Sequence, residues 1–246
     1  MINNLPEMSF AQHFGELKSR IVKILAVFTV SFIVAYIFKE QLFNILAQPL
    51  LNIFEDNQHF IFTHLAEAFF VYLKLAFWAA LFITIPFALI QVYLFIAPGL
   101  YKTEKRFVIP TFTFSVILFY AGISFVYIYL MPKAWEFFLS FSNSNIDIAL
   151  QAKISEYFNF SLQLMLAFGL AFQLPIILLV LAKAGLITVK TLINGRKYAI
   201  ILMAVVSALL TPPDLISQIA LIIPLTVMYE ITILLLKLNK NSKLEK

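Results

Sequence analysis

The 246-residue sequence contains no cysteine, so no disulfide, thiolate nucleophile, iron–sulfur cluster or cysteine-based zinc site can form. Histidine is scarce too. The three present, His13, His59 and His64, all fall outside the apolar runs, which leaves a haem or metal centre at membrane depth almost without ligands. No metal and no cofactor is expected. Charged residues make up only 13% of the chain, against roughly a quarter in soluble domains. A mean hydropathy of +0.92 leaves too little polar surface to cover a globule, so one helical membrane domain is the natural reading. No internal repeat, low-complexity stretch or separable domain is evident.

What is present in quantity is hydrophobic sequence, 62% of the chain. It falls into six runs at about 21–38, 67–97, 107–131, 157–182, 198–210 and 215–236. The runs are continuous and do not alternate, which excludes membrane strands and gives an all-α, polytopic fold of six transmembrane helices. The first run is 18 residues long, longer than the roughly 7–15 of a cleavable signal peptide, and is read as a retained helix. Basic residues cluster in alternate connections. Lys18, Arg20 and Lys23, then Lys102, Lys105 and Arg106, then Lys183, Lys190, Arg196 and Lys197, then Lys237, Lys240, Lys243 and Lys246 account for fourteen of the 18. The positive-inside rule puts these segments, and both termini, in the cytoplasm, and an even number of crossings follows. The net charge of +5 therefore reports topology, and nucleic acid is not an expected partner.

Two lengths stand out. The second run, about 30 residues with Pro86 inside it, exceeds the roughly 20 needed to span and should tilt, kink or project. The fifth, 13 residues, reaches only about 20 Å at 1.5 Å per residue and falls short of a core about 30 Å thick. The membrane thins there, or the helix tucks against its neighbours. The outer loops at 39–66 and 132–153 have room for short surface helices.

Two compact motifs lie on the cytoplasmic face. Residues 13–20 read His-Phe-Gly-Glu-Leu-Lys-Ser-Arg just before the first helix, and residues 95–106 read Phe-Ile-Ala-Pro-Gly-Leu-Tyr-Lys-Thr-Glu-Lys-Arg. Pro98 and Gly99 end a helix and turn the chain. Each motif sets one carboxylate, Glu16 or Glu104, among basic residues, which fits either a charged recognition surface or two solvated loops with incidental charges. Lys74 lies a few residues into the second run and can snorkel. Within the other runs stand Gln163, Gln173 and Glu230; polar groups at that depth mark helix contacts or a site. Pro212 and Pro213 end one helix, and Asp214 caps the next.

Together these motifs resemble the TatC family, the multi-spanning receptor subunit of the twin-arginine protein translocase. The N-terminal stretch is similar to a His-Leu-x-Glu-Leu-Arg-x-Arg pattern, with Phe14 and Lys18 as departures. Residues 95–104 are similar to Phe-x-x-Pro-Gly-Leu-Tyr-x-x-Glu. Residues 211–214, with Pro224 and the Tyr229–Glu230 pair, resemble the family's last hairpin. The resemblance covers essentially the whole chain. It implies short fifth and sixth helices and a non-enzymatic role: recognition of twin-arginine signal peptides on folded cargo, recruitment of TatA-type and TatB-type single-span partners, self-association, and export driven by the proton-motive force. The absence of a P-loop agrees.

On that reading Glu16 and Glu104 form an acidic cleft for the arginine pair, with Lys18 and Arg20 nearby and Phe95 offering apolar surface. Gln173 and Glu230 are candidate contacts to partner helices within the lipid. Lys18 keeps a charge but lacks the guanidinium fork. Gln173 stands where many relatives carry glutamate, so a titratable carboxylate is not available there. Two other classes compete. A secondary transporter would use helix breaks at Pro86, Pro175 and Pro224, but the two halves do not match. An intramembrane enzyme would need a nucleophile with a base, or a metal cluster, and the runs hold neither cysteine nor histidine. The host membrane, bacterial cytoplasmic or organellar, stays open.

Overall fold

In lipid no water is available to satisfy the backbone, and a helix closes its own hydrogen bonds. A computed structural model shows that arrangement throughout and describes residues 10–54, 60–96, 108–140, 152–183, 185–211 and 215–241. Ten α-helices run through these residues: α1 (Phe10–Ile37), α2 (Lys39–Leu51), α3 (Glu67–Ile96), α4 (Val108–Phe125), α5 (Met131–Ser140), α6 (Ile154–Ala171), α7 (Leu174–Lys183), α8 (Val189–Asn194), α9 (Arg196–Leu210) and α10 (Leu215–Asn241). A π-helical stretch, Val126–Leu130, joins α4 to α5. Extended pairing among the described residues is limited to one isolated bridge, Ile61 with Lys153.

Five segments are long and apolar enough to cross a membrane: Phe14–Ile37, Glu67–Val92, Thr113–Ser140, Ile154–Lys183 and Ser217–Leu238. The fifth run of the sequence forms α9, whose 15 residues extend about 22 Å, so it is not among them. The last helix departs from the expectation of a short one: α10 has 27 residues, because no breaker follows residue 236 until its polar end. The first helix also starts earlier than the apolar run, at Phe10. The motif at 13–20 is therefore part of a helix rather than a loop ahead of it, and its glutamate and arginine fall one turn apart.

Proline has unequal effects. Pro49, Pro86 and Pro224 sit inside helices. At Pro175 the expected single helix over 157–182 breaks into α6 and α7. The turn at Phe172 and Gln173 closes through the Phe172 N–H to Phe168 and the Gln173 N–H to Leu170, where a proline four residues past Ala171 could neither donate nor tolerate that carbonyl. The C-terminus of α7 is closed by a Schellman arrangement. Gly185 adopts φ 73°, the Leu186 N–H reaches the Leu181 carbonyl at 3.0 Å, and the Gly185 N–H reaches Ala182 at 3.2 Å.

The chain divides into two compact units. One takes residues 1–42 and 72–113, the other residues 43–71 and 114–246. In the first, Phe28 meets Phe77 edge-on at 5.3 Å, which brings α1 against α3. In the second, α10 packs on α6, α7, α8 and α9. Glycine allows one close approach between helices here. A Cβ at Gly122 of α4 would stand 2.6 Å from the Phe168 carbonyl oxygen of α6, and one at Gly169 would stand 2.8 Å from the Phe119 ring. Small residues let membrane helices gain the dispersion contacts that replace a hydrophobic driving force.

An aromatic cluster closes one end of the same unit. Phe43 and Phe60 pack on Phe158, at 5.0 and 6.3 Å, and Trp135 stacks near Tyr157 at 5.0 Å. The Tyr157 and Tyr127 hydroxyls donate to the Leu46 and Ile45 carbonyls of α2, at 2.6 and 2.7 Å. Beside this cluster the buried Glu67 carboxylate accepts the Thr63 N–H at 2.7 Å and the Ser155 N–H at 3.2 Å. A carboxylate at the first turn of α6 satisfies an otherwise orphaned donor and suits the positive end of the helix.

Candidate functional site

Three polar constellations interrupt the apolar surfaces. The first lies in the unit containing α1 and α3. Glu16 and Arg20 stand one turn apart on α1, half-buried, with Lys18 between them and exposed. The Arg20 guanidinium donates to Glu16 Oε1 through Nη2 at 2.5 Å and through Nε at 3.1 Å. Its Nη1 donates to Gln91 Oε1 at 3.1 Å, and its Nη2 also reaches the Leu94 carbonyl at 3.1 Å. Gln91 and Leu94 are three apart on α3 and so face the same way. Leu94 lies in the last turn of α3, where carbonyls have no intrahelical partner and a cation is favourable. Arg20 thus caps α3 while holding Glu16. Phe95, the next residue along, is half-buried.

The second constellation surrounds Gln173, 6% exposed. Its amide oxygen accepts the Ser115 hydroxyl of α4. Its Nε2 donates to the Ser115 carbonyl at 3.0 Å and to the Gly169 carbonyl at 3.5 Å. Both ends of the amide are engaged inside the unit, which removes the penalty for a polar group at this depth. The third joins α9 to α10. Arg196 Nε and Nη2 donate to the two Glu230 carboxylate oxygens, each at 2.7 Å, the bidentate geometry that arginine alone can provide. The neighbouring Tyr229 hydroxyl donates to the Leu192 carbonyl at 2.8 Å, and the elbow between α8 and α9 is pinned twice to α10.

Of the residues singled out in the sequence, the structure brings Glu16 and Arg20 together, leaves Lys18 exposed, and pairs Gln173 and Glu230 internally. Glu104, Pro98, Gly99, Pro212, Pro213 and Asp214 lie outside the described residues. Sequence reasoning missed Gln91, Ser115, Arg196 as a side-chain partner, and Glu67. Gln91 carried a signal, being a lone amide in an apolar run four residues before Phe95. The pairing of Arg196 with Glu230 bridges 34 positions and leaves no local trace.

Five bilayer-length apolar helices, with polar groups paired off between them, define a multi-pass membrane protein. Comparison with known proteins gives the particular kind. The family model for the Sec-independent protein translocase protein (TatC) matches residues 12–224. The TatC protein of Desulforapulum autotrophicum is 42% identical over 225 residues, covering 92% of this chain and 83% of that protein. That of Rickettsia prowazekii is 41% identical over 230 residues, with 92% of each chain covered. A crystal structure described as the twin-arginine translocase receptor TatC superimposes with a TM-score of 0.79 at 35% identity, covering 92% of this chain and 98% of that one. The chain belongs to the TatC family of Sec-independent protein translocase components.

Proposed function

We propose that this protein is the signal-peptide receptor and core subunit of a twin-arginine translocase. It acts without covalent catalysis and exports folded proteins on the proton-motive force. It sits in a bacterial cytoplasmic membrane with both termini inside, and α9 makes a sixth crossing where the bilayer is thin. The observation that carries this reading is the Glu16 carboxylate, held by the Arg20 guanidinium through two N–H groups. A site that already accepts one arginine has the chemistry to accept another, and lysine cannot reproduce the fork. Glu104 supplies the second carboxylate of the cleft and Phe95 the apolar flank. TatA-type and TatB-type single-span subunits dock in the membrane, and a partner that contacts Gln173 exchanges with the Ser115 hydrogen bond. The chain also self-associates.

The test is export of a folded reporter by inverted membrane vesicles carrying all partner subunits. Glu16→Ala combined with Glu104→Ala should abolish export, as should a protonophore added to the unaltered vesicles. Export that survives the double substitution rules out the cleft; export that survives the protonophore rules out the energy source.

A further inference from the structure

The carboxylate proposed for the signal peptide is not vacant. Arg20 lies 17% exposed and Glu16 23%, and four N–H contacts fix the guanidinium: two to Glu16, one to the Gln91 amide oxygen and one to the Leu94 carbonyl. Two of those acceptors sit on α3, so Arg20 is held from two helices and is more than the incidental partner of a surface pair. An ordinary exposed pair one turn apart contributes little, and a guanidinium with three different acceptors is a more committed arrangement.

Resting on the receptor reading above, we infer that Arg20 is a resident arginine which an incoming signal-peptide arginine must displace from Glu16, and that this competition sets the preference for arginine over lysine. Binding becomes an exchange of one guanidinium for another. A carboxylate left bare at the end of an apolar helix would attract any cation, and Coulomb attraction alone separates lysine from arginine poorly. Against a resident guanidinium that sets two N–H groups, from Nε and Nη2, on Glu16 Oε1, the incoming group must match two donors. An ammonium, a single point charge, cannot do so. Displacement also releases the Gln91 amide oxygen and the Leu94 carbonyl, four residues and one residue before Phe95. Arrival of the peptide is thereby coupled to the end of α3. Arg20 is a specificity-determining and positioning residue of the same site.

The test uses the full-length protein in membranes with its partner subunits and a photoreactive signal peptide in two forms, twin-arginine and twin-lysine. The readout is the ratio of their half-saturating concentrations. In Arg20→Gln, and in the charge-conserving Arg20→Lys, the twin-lysine peptide should gain until the ratio shrinks by roughly tenfold or more, the equivalent of one charge-assisted hydrogen bond. Twin-arginine binding should hold or tighten. Gln91→Leu, which leaves the Glu16–Arg20 pair in place and removes one anchor, should shift the ratio the same way by less. An unchanged ratio in both Arg20 variants, or loss of both peptides in Arg20→Lys, overturns the resident-arginine role. Glu16→Gln separates the two readings. If it abolishes twin-arginine binding while the Arg20 variants leave the ratio unmoved, the receptor site stands and only the competition fails. If it changes nothing, the receptor site itself fails.

Discussion

Removing the amide at Gln173 should cost about 2 kcal/mol of stability, and about half of that cost should vanish when the Ser115 hydroxyl is already gone. In Gln173→Leu the side-chain volume is nearly kept, so no cavity contribution is expected. Lost are the hydrogen bond from the Ser115 hydroxyl and the one to the Ser115 carbonyl. In membrane proteins such cross-helix bonds average about 0.6 kcal/mol, with an upper range near 1.7, so two of them give about 1–3. Ser115→Ala removes one bond and takes the donor from the Gln173 amide oxygen, and should cost about 1 kcal/mol. The assay is a double-mutant cycle by reversible unfolding in bicelles. The double variant should be little worse than Gln173→Leu alone, a coupling of about 1 kcal/mol. Strict additivity would show that the Ser115–Gln173 contact carries no energy and refute the view that this amide is satisfied from within.

Other consequences follow from the same structure. Gly122→Ala places a methyl 2.6 Å from the Phe168 carbonyl oxygen, a clash with backbone that cannot rotate away. It should destabilise the protein by about 1–3 kcal/mol, and an unfolding midpoint equal to the parent's would mean α4 and α6 are not that close. Glu67→Gln weakens the carboxylate that accepts the Thr63 and Ser155 N–H groups, so amide hydrogen exchange at those two positions should accelerate while exchange in α9 does not. For the pair joining α9 to α10, Arg196→Glu alone should loosen the α8–α9 elbow to protease, and adding Glu230→Arg should restore protection. No restoration would mean the fork at 2.7 Å is not what holds the elbow.

The membrane helices were legible because a run of apolar residues long enough to span has few other stable fates. Their ends were less so. The segment before the first apolar run reads as a charged loop, yet Glu16 and Arg20 sit at the spacing that supports a helix, and α1 begins at Phe10. Prolines misled in the other direction. Pro86 and Pro224 are as plausible as breaks as Pro175, but only Pro175 interrupts its helix, because neighbouring groups can re-satisfy the freed carbonyl of a membrane helix. Polar residues in the apolar runs were visible as anomalies, and Gln173 and Glu230 were named for that reason. Their partners were not, because Ser115 lies 58 positions from Gln173 and Arg196 lies 34 from Glu230. Gln91 was visible in the same way, a lone amide in the second run, but Arg20, which binds it, lies 71 positions away.

The most direct test of the proposed receptor function is photocrosslinking of a radiolabelled twin-arginine signal peptide to membranes containing this protein and the other translocase subunits, with a twin-lysine peptide as control. Crosslinks mapping near Glu16 that disappear with the twin-lysine peptide are the expected result. Equal crosslinking of both peptides, or none with every partner subunit present, would contradict it.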